Sequence, residues 1–151
     1  MKWFVPLILI SCSQIPIKPY RSVDPELMPY VKDFERDYNL SLEKVTARFY
    51  NLDLIMDDRN VVGICEYNYH DNTKNKVFID TKYWTFASGI HRKMLVYHEL
   101  GHCVLHRKHR RDKLKNGCPT SLMNPSILKA RCFYRNEEYY ITELWENRNE
   151  L

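Results

Sequence analysis

The stretch HELGH, residues 98–102, contains side chains whose types and spacing indicate metal-assisted hydrolysis. His98 and His102 are four residues apart, so on a helix they lie on one face, about 6 Å apart along the axis. Two imidazoles in that arrangement can bind one ion through nitrogens at about 2.0–2.1 Å. Glu99 is rotated by about 100° from His98, so it lies beside the ion and can pass a proton from a zinc-bound water to a leaving amine. The pattern predicts peptide-bond hydrolysis with Glu99 as the general base.

A catalytic zinc site of this kind needs a third protein ligand, with water in the fourth position. His106 lies eight residues after His98, about 12 Å along an intact helix, so it can bind only if the helix breaks before it. His109 can fold back if the chain turns near residues 105–107. Such a turn needs a residue that tolerates positive φ, and histidine is enriched in that region. We therefore expect His106 in the turn and His109 as the third ligand.

The elements before the motif can be predicted from apolar periodicity and turn residues. A helix is expected to begin at Asp24 and Pro25, because proline suits the first helical turn, and to end at Asn39. Three strands are expected to follow, at residues 44–52, 61–67 and 76–84. The second and third strands are joined by a polar turn and could pair as a hairpin.

The motif itself is predicted to lie on a helix that Ser88 or a neighbour caps. A basic loop, the stretch CPTSLMNPS and a last helix at about residues 136–147 complete the chain. The order is helix, small and mainly three-stranded sheet, motif helix, loop and C-terminal helix. This order predicts an α+β fold.

Length and composition are those of one folded domain. The chain has 151 residues, of which 44% are hydrophobic and 28% charged, as is ordinary for a globular protein. Eleven tyrosines and only four glycines argue against disorder. The net charge of +4 is mild and gives no reason to expect a nucleic-acid partner.

The N-terminus is expected to be a targeting segment. Residues 1–11 have one lysine and a short apolar run, too short to span a bilayer but suited to a signal peptide. Leu9 to Cys12 resembles the bacterial lipobox, which implies lipidation of Cys12 and a lipid anchor in the cell envelope, on the periplasmic or extracellular face. Residues 12–23 contain two prolines and are expected to be an extended tether.

Four further cysteines are expected in the exported domain. An even number in that compartment permits two disulfides with three possible connectivities. Cys118 and Cys132 bracket the loop PTSLMNP, which a bond between them would pin. One or more of the four could instead be buried thiols. They are Cys65, Cys103, Cys118 and Cys132.

HELGHCVLHRKH followed by SLMNP resembles the zincin metallopeptidases and, within them, the metzincins. Those enzymes have the motif H-E-x-x-H-x-x-G-x-x-H and a downstream turn with a methionine beneath the zinc. The resemblance implies that role for Met123. The segments VVG-C, FID-KYW, RK-LV-HELGHC and SLMNP together resemble small metallopeptidases found among bacterial lipoproteins and phages. This resemblance covers about residues 24–145 and implies a compact zincin-like metallopeptidase domain at residues 24–151.

The sequence departs from the metzincin pattern at three positions. Metzincin spacing would place the third histidine at 108, which is Lys108, and the glycine at 105, which is Leu105. Both features are displaced by one residue, to 109 and 106, and the glycine is lost. Pro125 stands where some metzincins have a tyrosine near the metal.

A gluzincin-like alternative would take the third ligand from Glu137, Glu138 or Glu143.

Several other polar residues have competing interpretations. The basic loop HRKHRRDKLK could attract anionic headgroups or an acidic substrate, but a solvated loop is the expected reading. Tyr139 and Tyr140 could place a hydroxyl near a tetrahedral intermediate, although core packing is the expectation for Tyr140. His70 and His91 are expected at the surface.

These observations predict a membrane-anchored zinc metallopeptidase of endopeptidase type, in which His98, His102 and His109 hold Zn²⁺. Its partners would be a peptide or protein substrate and, through Cys12, a membrane. The zincin resemblance implies that an edge strand near residues 76–84 aligns an extended peptide. One alternative is a non-catalytic zinc-binding lipoprotein or interaction module, which would have no use for the carboxylate of Glu99. Another is a zinc hydrolase that acts on cell-wall peptides.

Overall fold

A computed structural model describes residues 22–54, 56, 60–68 and 75–149. The predicted signal peptide, Cys12, most of the predicted tether and His70 lie outside these residues. Five helices and a four-stranded sheet confirm the α+β class. The elements are β1 (Ser22–Val23), α1 (Met28–Tyr38), β2 (Thr46–Tyr50), a 3-10 turn (Leu52–Leu54), β3 (Gly63–Glu66), β4 (Lys76–Asp80), α2 (Thr81–Phe86), α3 (Gly89–Cys103), α4 (Ala130–Arg135) and α5 (Glu137–Glu146).

The sheet has the strand order β1-β2-β4-β3, so it contains the three expected strands and one short strand that was not expected. The additional strand is β1, in which Ser22 and Val23 pair in parallel with β2, although the tether was expected to reach residue 23. β2 and β4 are also parallel. The predicted hairpin is confirmed, because β3 pairs with β4 antiparallel. β4 is therefore an internal strand, and the edge strand beside it is β3, which corrects the expectation of an edge near residues 76–84.

The predicted strand at 76–84 ends early, at Asp80, because this residue caps a helix. One carboxylate oxygen of Asp80 accepts a hydrogen bond from the amide of Tyr83 at 2.6 Å, and the other accepts from the amide of Leu52 at 3.2 Å. An aspartate that satisfies a free amide in this way favours helix over strand after it. The chain then turns into α2, which buries Trp84.

The predicted N-terminal helix is observed as α1, which packs against α3. Its expected start at Asp24 and Pro25 was wrong: residues 25–27 form a turn, the helix begins at Met28, and the Asp24 carboxylate instead accepts from the amide of Phe49 on β2. The apolar face of α1 is buried at Val31, Phe34 and Tyr38, and the helix ends where Asn39 adopts a left-handed φ of 50°. The rings of Phe34 and Tyr97 meet edge to face with centroids 5.1 Å apart. Because α3 also contacts β3 and β4, it lies between α1 and the sheet and is the central helix of the core.

The last helix was predicted at residues 136–147 and is observed as α5, at Glu137–Glu146. The short helix α4 before it was not predicted. Tyr140 and Leu144 on α5 are fully buried, and Leu144 approaches the backbone of Gly101 on α3. α5 therefore packs against the part of α3 that carries the histidine motif.

Two disulfides cross-link the described chain. Of the three connectivities that the sequence left open, the structure has the one in which Cys118 pairs with Cys132 and pins the PTSLMNP loop. Cys65 pairs with Cys103, which joins the edge strand β3 to the last residue of α3. In the described ranges, no helix has the length and apolarity needed to cross a bilayer.

Candidate metal centre

Helix α3 places both histidines of the HELGH motif on its buried side. The helix begins after Ser88, as predicted, and is buried almost continuously from Met94 to Gly101. His98 and Glu99 are polar yet only 6% and 4% exposed. Burying a polar side chain costs free energy unless a hydrogen-bond or charge partner offsets the cost. The groups around His98 and Glu99 therefore indicate what these two side chains can bind.

The chain turns back after α3 as the sequence predicted. His106 has a left-handed φ of 54°, and the amide of the next residue, Arg107, donates to the carbonyl of Gly101 at 3.0 Å. This reversal brings His109 to the motif, with its Nε2 atom 3.2 Å from Nε2 of His98. His106 itself lies outside the cluster of imidazoles.

His98, His102 and His109 form one group whose nitrogens could hold a metal ion. Nε2 of His102 is also 3.2 Å from Nε2 of His98, and the ligand atoms of all three lie within 4.8 Å of one another. Two nitrogens that bind one zinc ion at 2.0–2.1 Å with tetrahedral geometry are about 3.3–3.4 Å apart. The distances of 3.2 Å from Nε2 of His98 to Nε2 of His102 and of His109 are close to this nitrogen–nitrogen distance.

Backbone carbonyls determine which nitrogen of each helical histidine is protonated. Nδ1 of His98 lies 2.7 Å from the carbonyl oxygen of Leu122, and Nδ1 of His102 lies 2.6 Å from that of Arg107. A carbonyl can only accept, so each Nδ1 donates and each Nε2 retains its lone pair in the neutral ring. The two Nε2 atoms are 3.2 Å apart, and because neither carries a proton they cannot hydrogen-bond to each other. They are oriented to share a cation, and metal-binding histidines usually donate their other ring N–H to a carbonyl or carboxylate in this way.

The imidazoles are also kept neutral, as metal ligands must be. Burial, followed by the nearby charge of His102, lowers the pKa of His98 to about 3. Burial is again the first cause at His102, where it lowers the pKa to about 4. The pKa of His109 is lowered as well, by burial and by the positive charge of Arg111.

Glu99 projects beside this cluster toward the edge strand. A Cβ atom placed on Gly63 of β3 would lie only 2.7 Å from Cδ and 2.8 Å from Cγ of Glu99, so the side chain packs directly on the strand backbone. Burial raises the pKa of Glu99 to about 8. Within the described ranges no group donates a hydrogen bond to its carboxylate, so both oxygens are available to a substrate or a water molecule.

A cavity of about 510 Å³ lies in front of the cluster, within the size range of ligand pockets. Its walls are the edge strand on one side and α3 with the returning loop on the other. Arg111 is the only lysine or arginine among the described residues that line it. The lining residues include Asn60, Val61, Val62, Gly63, Tyr67, His98, Glu99, His102, His109, Arg111, Pro125 and Ile127.

Sequence reasoning missed two residues of this site, Gly63 and Tyr67, and weighed a third, Arg111, only as part of the basic loop. Gly63 makes the close approach to Glu99, and a glycine inside a strand is the signal that could have indicated it. The hydroxyl of Tyr67 donates to the carbonyl of His102, and its ring stacks on that of His106. Tyr67 carried no local signal. Arg111 was considered only within the basic loop HRKHRRDKLK, for which attraction to an acidic substrate was the less expected reading, and it lines the cavity.

The predicted methionine turn lies against the motif. Met123 is fully buried, and a Cβ atom on Gly101 would be 2.6 Å from its sulfur. The carbonyl of Met123 accepts from the amide of Arg110 at 2.9 Å, and the preceding carbonyl, of Leu122, orients His98. The turn is therefore connected both to the helix and to the returning loop. Pro125, just after it, lines the cavity.

The alternative third ligands lie elsewhere. Glu143 is buried, but its carboxylate pairs with Arg107 at 2.7 Å. Glu137 pairs with Lys93 at 2.7 Å, and Glu138 is exposed. Among the described residues, the three histidines are the only group of this kind that could hold an ion.

The remaining polar residues of the sequence analysis also lie away from the cluster. The hydroxyls of Tyr139 and Tyr140 donate to the carbonyls of Thr120 and Pro119. His91 contacts the hydroxyl of Ser88. The expectation of a solvated basic loop was wrong for Arg107, which is fully buried because its charge is paired inside the core.

Comparisons with family models, with curated proteins and with solved structures find no match for this chain. Its function is therefore inferred from the side chains of the site.

Proposed function

We propose that this protein is a zinc-dependent peptidase of the zincin type. The observation that supports the proposal most directly is the pair of Nε2 lone pairs on His98 and His102, 3.2 Å apart, with Nε2 of His109 at the same distance from His98. The carboxylate of Glu99 lies beside them, and no residue in the described part of the chain donates a hydrogen bond to it. This combination is expected of a hydrolytic site rather than of a purely structural one.

The donor set fits zinc. Imidazole nitrogen is a common zinc ligand, and sites with three protein ligands leave a fourth position for water or substrate, whereas structural zinc sites are closed by four protein ligands. When bound, zinc supplies a Lewis acid that polarises a carbonyl and lowers the pKa of a water molecule to about 7. The residues that would hold it are His98, His102 and His109.

Glu99 is placed to move the proton in this reaction. Its carboxylate is buried between α3 and the edge strand, in the same cavity as the three imidazoles. A cation held by the imidazoles would lower the raised pKa of Glu99 and so favour its ionised form. The carboxylate would then accept a proton from the attacking water and later deliver it to the nitrogen of the leaving amine. The free oxygens of Glu99 are available for both steps.

The edge strand β3 would align the substrate. Among the described strands it pairs only with β4, which leaves its other edge open, and residues 60–65 line the cavity. An unpaired strand edge can add an extended peptide through main-chain hydrogen bonds. The sequence assigned this role to the strand near residues 76–84, but that strand is internal, so we assign it to β3. Because Arg111 gives the cavity a positive charge, peptides with a carboxylate close to the cleaved bond should be preferred.

The test combines metal content with hydrolysis of a peptide library that pairs each glutamate-containing peptide with its glutamine version. Wild type should bind one zinc ion and cleave. Glu99→Ala should keep the metal and lose turnover by about 10²–10⁴-fold, as expected when a general acid–base is removed. His109→Ala should lose most of its zinc affinity, whereas the control His91→Ala should keep it.

Two results would contradict the proposal. Zinc binding without cleavage of any library peptide would favour a non-catalytic zinc module, the alternative that the sequence left open. Full zinc affinity in His109→Ala would show that the third ligand is wrong. A membrane anchor at Cys12 remains a prediction of the sequence.

A further inference from the structure

We propose that Arg107 is a positioning residue for the metal centre, through which the C-terminal helix α5 holds the imidazole of His102 in its ligating orientation. The inference rests on the metal site of the proposed function but not on the reaction. It assigns a role to the one arginine of the basic loop that is fully buried.

The side chain of Arg107 is bound to the end of α5. Its Nη1 donates to the carbonyls of Glu143 and Leu144, both at 2.9 Å, and its Nη2 donates to Oε1 of Glu143 at 2.7 Å. Carbonyls in the last turn of a helix lack intrahelical partners, and here the Leu144 carbonyl is bound by Arg107, while the Glu143 carbonyl also accepts from the side chain of Asn147 at 3.0 Å. Arg107 thus caps α5 and pairs with a carboxylate on the same helix. A planar guanidinium can make these bonds together because its donors have a fixed fork geometry.

The backbone of Arg107 contacts the metal centre. Its carbonyl accepts the hydrogen bond from Nδ1 of His102 at 2.6 Å, and its amide donates to the carbonyl of Gly101 at 3.0 Å. The first of these bonds keeps the proton on Nδ1, so that Nε2 is left for the metal. The guanidinium and the carbonyl both belong to Arg107. If the guanidinium loses its position on α5, the carbonyl that orients His102 is therefore expected to move with it.

Two further contacts tie the same loop to the C-terminal region. Nη1 of Arg110 lies 3.5 Å from Oε1 of Glu143. The amide of Asn149 donates to the carbonyl of Leu105 at 2.7 Å. The loop that orients His102 and carries His109 is therefore held from α5 and the segment after it, and Arg107 is its most buried attachment.

Two variants test this role in the full chain. Arg107→Lys keeps the charge but loses the fork, and Glu143→Gln keeps an acceptor oxygen but removes its charge. Zinc affinity is measured by competition with a chelating indicator, and the tautomer of His102 by ¹⁵N NMR without metal. For Arg107→Lys we expect zinc affinity about 10–100-fold weaker, the usual effect of losing a partner of a metal ligand. The Nδ1–H signal should shift toward a mixture of tautomers, and Glu143→Gln should change both readouts in the same direction.

Tyr38→Phe is the matched control. It removes another hydrogen bond to an α5 carbonyl, from the Tyr38 hydroxyl to Ile141 at 2.9 Å, and leaves the bonds of Arg107 to Glu143 and Leu144 in place. It should lower stability while zinc affinity and the tautomer stay unchanged. If Arg107→Lys fails to fold, Glu143→Gln carries the test.

The proposal is overturned if the folded variants keep wild-type zinc affinity and a pure Nδ1–H tautomer, or if Tyr38→Phe weakens zinc binding equally. A wild-type protein that binds zinc without cleaving peptides would contradict the hydrolase but not this role. If wild type binds no zinc, the metal site fails, and the tautomer still decides whether Arg107 orients His102.

Discussion

At the residue scale, the surroundings of a histidine decide what it can bind. Nδ1 of His98 and of His102 faces a buried carbonyl, which leaves Nε2 as a ligand. His91, on the same helix, instead directs Nδ1 at the Ser88 hydroxyl 2.7 Å away, in an exposed contact. All three are histidines on α3, yet only the first two have a defined lone pair that points at another imidazole.

Gly63→Ala should impair catalysis without removing the metal. The new Cβ would lie 2.8 Å from Cγ of Glu99, so the base must shift from its position. We expect kcat to fall at least about tenfold, which is less than the loss expected when the general base is removed altogether. Zinc affinity should change less than about threefold. Peptide hydrolysis and zinc titration on the same preparation measure the two effects.

Gly89→Ala is the control for this substitution. At Gly89 the nearest atom to a new Cβ is the Tyr30 hydroxyl at 4.0 Å, so nothing needs to move. This variant should match wild type in kcat and in zinc affinity. Equal activity of the two alanine variants would show that Glu99 does not depend on the close approach of β3.

At the element scale, β3 and α3 form two walls of the cavity and are covalently joined. The Cys65–Cys103 disulfide links the edge strand to the end of the helix. The Tyr67 hydroxyl adds a hydrogen bond from the residue after β3 to the carbonyl of His102. The strand that would align a peptide is therefore fixed relative to the helix that carries His98, Glu99 and His102.

Cys65→Ser with Cys103→Ser should cost about 4 kcal/mol of unfolding free energy, because a sequence separation of 38 residues is no longer constrained in the unfolded chain. Cys118→Ser with Cys132→Ser is the matched pair, with a separation of 14 and an expected cost of about 3 kcal/mol. Urea unfolding of each pair measures both values. A cost below about 1 kcal/mol for the first pair would argue against this bond as a structural constraint.

At the scale of the whole molecule, the metal ligands come from two parts of the chain that one core holds together. His98 and His102 lie on the central helix, and His109 lies on a loop attached to α5 and to the turn at Met123. The unfolded chain has no such preformed site, so metal binding should stabilise the native state by linkage.

Zinc at a free concentration one hundred times its dissociation constant should raise the unfolding free energy by about 2.7 kcal/mol. The melting temperature should rise accordingly, and a chelator should reverse the rise. His109→Ala should lose most of this response, whereas His91→Ala should retain it. If zinc does not change the melting temperature of the wild type, the prediction that zinc binds only to the folded protein is wrong.

Much of the site could be predicted because its signals are local. Residues four apart share a helix face whatever surrounds them, so His98, Glu99 and His102 follow from helix geometry alone. The turn at His106 follows from the length of an unbroken helix and from the backbone conformations that histidine tolerates. The α+β class and the β3–β4 hairpin follow from periodicity and turn residues.

The features that the sequence did not predict depend on contacts between residues that are distant along the chain. Asp80 ends β4 because its carboxylate caps α2 and binds Leu52, a competition that strand periodicity cannot reveal. β3 becomes the edge because β2 pairs with β4. Arg107 is buried because Glu143, 36 residues later, neutralises it. The local sequence determined which side chains could bind a metal, and long-range packing decided how their nitrogens are oriented, because a carbonyl acts on an imidazole only once folding has placed it there.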